Sequence, residues 1–177
     1  MKTLKRFLVF AIATVMLVAT IAFVGCSKPD GSALSGSMKI VVAPEDNSTP
    51  TVFEVDLSNF TNKDNVDDVI LYLAGEGKLC YKGGYAAYGL FLEALGVPVP
   101  AASENDYPTV NYIIEQDASA GKYIYTYTSV EKDQNDGDLK TEIEYDGVTV
   151  IDSLNGVSAM TIEDGAIIYF SIIVWKS

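Results

Sequence analysis

The sequence predicts an α+β domain, and three observations carry that prediction. Val66 to Leu73 places apolar residues at helical spacing, two short β-rich runs precede it, and nearly everything after Lys122 reads as strand. Strands, one helix and then several strands is α+β order rather than alternating βα units.

Taken in order, Lys39 to Ala43 and Val52 to Leu57 are the first two runs, separated by turn residues from Pro44 to Pro50. In the second run Phe53, Val55 and Leu57 alternate with Val52, Glu54 and Asp56, which describes a half-buried strand. In the helix, Val66, Val69, Ile70 and Leu73 recur at i, i+3, i+4 and i+7 and share one face. Thr61 or Asn62 is placed to cap its start, Asp64, Asp67 and Asp68 suit its positive end, and Gly75 and Gly77 stop it.

The following segment reads two ways. Tyr88, Phe91, Leu92 and Leu95 keep helical spacing, whereas Gly83, Gly84 and Gly89 oppose a stable helix. Val97-Pro98-Val99-Pro100 is expected to break any regular element, with a polar loop running to Asp106. From Lys122 the chain is β. Tyr123 to Thr128 alternates, Thr141 to Tyr145 and Val148 to Ile151 flank an Asp146-Gly147 hairpin turn, and Ala166 to Val174 reads as a central strand buried on both faces.

The N-terminus carries an address. Lys2, Lys5 and Arg6 precede an apolar run from Phe7 to Val24 that holds no charge, proline or glycine, and Gly25-Cys26 closes it. That is the pattern of a secretory signal. Phe23-Val24-Gly25-Cys26 resembles the lipobox of bacterial lipoproteins, which implies cleavage between Gly25 and Cys26, lipidation of Cys26 and anchoring at the outer face of the cell membrane. The run also reaches the roughly 18 residues of a spanning segment, so an uncleaved anchor is the rival reading, and both export the same domain. The expected division is a signal peptide over 1–25, a Gly/Ser/Pro tether over 26–37 and one domain over 38–177.

Loss of residues 1–25 removes three cations, including the one arginine, and takes the formal net charge from −12 to −15. A surface of that sign repels nucleic acid and anionic lipid. The chain has no histidine, which excludes Ser-His and Cys-His nucleophiles and ordinary zinc sites. Carboxylates are plentiful, yet no pair stands out by spacing, and the expectation is a non-catalytic protein without a metal. Asp133 to Asp138 fails as a calcium loop, because Gly137 falls fifth where the sixth position needs glycine. With Cys26 lipidated, Cys80 stands alone between Leu79 and Tyr81 and reads as a buried, inert thiol.

Tyrosine is the suggestive residue. Tyr123, Tyr125 and Tyr127 share one face of a strand, and Tyr81, Tyr85 and Tyr88 gather near three glycines. Tyr85, Tyr88, Tyr123, Tyr125 and Tyr127 are the candidate ligand contacts, since a flat ring with a polar tip suits sugars, planar ligands and protein partners. The competing reading of the strand is an aromatic ladder that only stabilises the sheet.

Three segments resemble the transcobalamin-like C-terminal domain family: Asp67 to Leu73, Tyr88 to Gly96, and Met160 to Phe170. The resemblance implies a β-grasp fold, a mixed sheet wrapped around one helix, and a strand over Ala87 to Glu93. It also implies cobalamin or another corrinoid as the ligand. The alternative is an adhesion module recognising a surface protein or glycan, because an edge strand accepts a partner strand. The anchor has its own test: Cys26→Ala releases the head or leaves it unprocessed in membrane fractionation, and a mutant retained at its mature size contradicts lipidation.

Overall fold

The computed structural model describes residues 31–101 and 108–175. The signal segment, Cys26 and the first part of the tether lie outside the described residues. Ten regular elements follow: β1 (Ser37–Val42), β2 (Thr51–Asp56), α1 (Val66–Gly75), β3 (Cys80–Ala86), β4 (Gly89–Val99), β5 (Thr109–Glu115), β6 (Lys122–Thr128), β7 (Glu142–Tyr145), β8 (Val148–Asp152) and β9 (Ile167–Val174). Among the described residues the fold is α+β, one helix against mostly sheet. Among the described residues, no helix is long and apolar enough to cross a membrane.

Six strands form one sheet in the order β2-β1-β9-β6-β8-β7, and β3-β4-β5 form a second. The pairing in the large sheet is antiparallel except between β1 and β9, which run parallel from Lys39↔Ile167 to Val42↔Phe170. The helix presents Val66, Val69, Ile70 and Leu73 to a cluster that also holds Met38, Ile40, Val42, Ile168 and Phe170 of the large sheet. Leu90, Leu92, Leu95 and Ile114 of the small sheet close the same cluster. Burial of one continuous apolar stripe is what ties the helix to both sheets.

The helix begins later than its sequence suggests. Asn65 is the N-cap, and its N–H donates to the Asp68 carboxylate at 2.9 Å. Thr61 instead turns onto Asp64, donating from its hydroxyl at 2.9 Å. The chain also joins the domain ahead of Met38, because the Ser32 and Leu34 N–H groups donate to Asn62 Oδ1 and the Phe60 carbonyl at 3.1 and 3.0 Å.

Two segments differ from expectation. The chain from Cys80 to Val99 is a hairpin, with Ala87 and Tyr88 forming its turn and strand starting at Gly89. Pro98 lies within β4, opposite Val110 of β5. It is tolerated there because pairing with β3 begins at Gly96, so beyond that point the ladder on that side needs no N–H from β4.

The β7–β8 hairpin folds back over the sheet. Its turn has positive φ at Asp146 (53°) and Gly147 (76°), the primed geometry that an Asp-Gly pair favours. Asp146 meets the Lys39 ammonium of β1 at 2.9 Å. In a flat sheet these strands would lie about 14–19 Å apart at about 4.8 Å per strand. Such a contact requires the hairpin to curl across the face opposite the helix. Beneath it Val41, Tyr127, Val150 and Ile167 form a second, smaller core.

Candidate functional site

Strand β6 separates the three tyrosines predicted as a recognition face. All three lie on the side away from the helix, and their exposure falls along the strand. Tyr127 is 3% exposed, Tyr125 is half-buried and Tyr123 is 39% exposed. Tyr127 stands edge-on to Tyr169 of β9, with centroids 6.1 Å apart, and Tyr145 lies 5.5 Å from Tyr169 under the folded hairpin. Those spacings are in the range of favourable aromatic pairs. Tyr127 is therefore part of the smaller core and unavailable to a ligand, a correction to its reading as a contact. Tyr125 leans on it, 6.2 Å away. Tyr123 alone of the three reaches open surface.

Tyr85 and Tyr88 sit on the β3–β4 hairpin. The buried Asp67 carboxylate anchors this hairpin to the start of α1. It accepts from the Ser158 hydroxyl at 2.6 Å and from the Tyr85 hydroxyl at 3.2 Å, while Ser158 Oγ accepts from the Leu90 N–H at 2.8 Å. Gly89 is required at this node. Its φ is +102°, and a Cβ there would meet Ser158 Oγ at 2.3 Å. Tyr85 is thus engaged by its hydroxyl, whereas Tyr88, at the turn, is 97% exposed.

What the hairpin brings to Tyr123 is a groove. Between β4 and β6 lies a cleft of about 210 Å³ lined by Leu90, Phe91, Leu92, Tyr123, Ile124 and Val157 among others. A second hollow of about 300 Å³ continues it along Ile124, Tyr125 and Thr126 to Ser153, Leu154 and Asn155. At the other end Tyr123 opens onto a shallow hollow of about 750 Å³ with Ala118, Gly121, Val174 and Trp175. A fifth of the chain is charged, yet among the described residues none that lines these three hollows is. Phe91, Tyr123, Leu154, Val174 and Trp175 are all exposed along it.

Sequence reasoning found Tyr123 and missed its companions. Two signals were present: Trp175 is the only tryptophan, and Leu154 is an apolar residue inside the polar turn Ser153-Leu154-Asn155-Gly156. Elsewhere, Asp133 is buried and spends its carboxylate on the Thr161 N–H (2.7 Å) and Asn155 (3.3 Å). Among the described residues, no three His, Cys, Asp or Glu side chains converge to hold a metal ion. Cys80 is a free thiol, half-buried rather than enclosed.

No protein-family model and no curated protein matches the chain. Among solved structures the chain resembles one from Ruminococcus gnavus described as a "putative metal binding protein". The two are 16% identical with a TM-score of 0.45, over 80% of this chain and 100% of that one.

The tyrosine core has a pH signature. Burial pushes the Tyr127 and Tyr169 hydroxyls above the ordinary value of 10.0. The folded state then holds these protons to higher pH than the unfolded chain does. Their contribution to stability is complete below pH 10 and is lost as pH rises through the folded values. Urea midpoints measured across that range fall with pH, and Tyr127→Phe flattens part of the fall; a midpoint independent of pH there contradicts the buried assignment. Tyr127→Ser costs about 3 kcal/mol as a core truncation, while Tyr123→Ser stays within about 0.5 kcal/mol as a surface change.

Proposed function

We propose that the chain is a lipid-anchored, non-catalytic binding module, displayed at the outer face of the cell membrane, that recognises another surface protein through the groove along β6. One observation carries this reading: exposed aromatic and aliphatic side chains concentrate along a groove whose described lining residues carry no charge, on a chain that is otherwise strongly acidic. Interface centres are depleted of charge and enriched in aromatic residues in this way. The tether from Cys26 and the net negative surface fit a head held clear of the bilayer.

We also read the fold as β-grasp, which suits the same use. A β1–β2 hairpin, a helix packed on the sheet and a late strand β9 returning parallel to β1 support that reading. Its sheet edges are the natural docking sites of such a domain.

The corrinoid reading is the weaker one on shape. Pockets for drug-sized ligands enclose most of the ligand surface, whereas the cleft and both hollows here, of about 210, 300 and 750 Å³, all lie open along the surface. A photo-crosslinking residue placed at Tyr123 or Trp175 in living cells is expected to give discrete protein adducts. The same residue at Tyr112, which lines none of these hollows, is expected to give none. Absence of adducts from both groove positions, together with micromolar binding of cyanocobalamin in equilibrium dialysis, overturns the protein-partner reading in favour of the corrinoid.

A further inference from the structure

The groove has a floor of backbone, and that floor is incomplete. Strand β6 pairs with β9 from Lys122↔Val174 to Thr128↔Ile168. In an antiparallel ladder, alternate residues direct both backbone groups to one neighbour. The Trp175 N–H donates to the Gly121 carbonyl and the Ser129 N–H to the Ile167 carbonyl, so odd-numbered residues of β6 face β9. Lys122, Ile124, Thr126 and Thr128 therefore face outward.

Three of those four are engaged on the outer side. Lys122 exchanges two bonds with Asp117, at 2.8 and 3.0 Å, and the Thr126 carbonyl accepts from the Ser153 N–H at 2.9 Å. Pairing with β8 begins only at Tyr127↔Asp152 and covers Thr128↔Ile151. Between these points the Ile124 N–H, the Ile124 carbonyl and the Thr126 N–H have no backbone partner among the described residues. One gap in the ladder thus opens directly onto the cleft and the hollow that share Ile124 and Thr126.

This edge is also unguarded. Edge strands are normally blunted with charged residues. Glu54 and Asp56 stand on β2, Lys82 on β3, Glu115 on β5, and Glu142 and Glu144 on β7. On β6 the open span Tyr123 to Thr126 carries no charge, and Lys122 beside it is tied to Glu45 at 2.6 Å. An acidic partner segment is repelled by the chain as a whole, and a charged one of either sign finds no counter-charge among the described residues that line the groove.

We propose that β6 accepts a short, extended, uncharged peptide segment of a partner protein as an added strand. Its backbone bonds to Ile124 and Thr126, and one apolar side chain seats between Leu90, Leu92 and Val157. The proposal rests on the groove reading above and specifies what fills the groove and how. Backbone pairing supplies affinity, and the cleft selects the anchor side chain.

The test uses the full chain, isotope-labelled in detergent, titrated with a pooled library of acetylated, amidated hexapeptides built from Thr, Val, Leu, Tyr and Phe. The expected result is a shift of the Ile124 and Thr126 amide resonances. The best peptide, N-methylated at alternate residues, should bind at least tenfold more weakly. Gly156→Leu, whose Cβ would have only the Tyr88 carbonyl oxygen near it, at 4.0 Å, should weaken binding by a similar factor by filling the cleft. Leu154→Asp, at a position 73% exposed and so harmless to folding, should do the same by charging the rim. If Phe91, Tyr123 and Trp175 respond while the Ile124 amide does not, or if N-methylation has no effect, strand addition is wrong and the groove reading stands. If no groove resonance moves at millimolar peptide, both fail.

Discussion

Strand β9 lies between β1 and β6 and gives its two faces to different cores. Ile168 and Phe170 enter the helix side, where α1 and both sheets meet, while Ile167 and Tyr169 enter the tyrosine side. Alternation along one strand thus fixes where the helix packs and which residues the β7–β8 hairpin must cover. A register slip of one residue would exchange the two sets and leave neither core filled. The early strand β1 is held by this late one, so the two ends of the domain close on each other. Such long-range parallel pairing forms only after much of the chain is in place.

The tyrosine face follows from the same constraint. β6 has to present alternate residues to the side opposite the helix, and the hairpin covers that side only where it folds back. Covered, Tyr127 becomes core; uncovered, Tyr123 becomes surface. The Lys39–Asp146 ion pair marks the reach of the hairpin rather than its energy, because exposed pairs contribute little. Packing of Ile143, Val150 and Tyr145 against Tyr127 and Tyr169 holds it down. A single periodic sequence therefore yields both a stabilising ladder and a recognition residue, and burial decides between them position by position.

Much of the fold was legible because burial imposes period. Val66, Val69, Ile70 and Leu73 are all buried, and so are Phe53, Val55 and Leu57. Strand β5 escaped because only Ile114 along it is fully buried, so its sequence carries no alternation to read. The length of β4 escaped because Pro98 is permitted only where a neighbouring strand stops, which is a fact of pairing rather than of composition. The groove was legible only at Tyr123. Its other defining feature, an Ile124 without a backbone partner among the described residues, depends on where β8 begins to pair, and no local pattern encodes that.

The open edge of β6 is the point on which the functional account turns, and amide hydrogen exchange of the full chain measures it directly. The amides of Tyr123, Tyr125 and Tyr127 point to β9 and should be strongly protected, whereas those of Ile124 and Thr126 should exchange orders of magnitude faster. Uniform protection from Lys122 to Thr128 would mean that the edge is already filled, and the groove would then have no strand to receive.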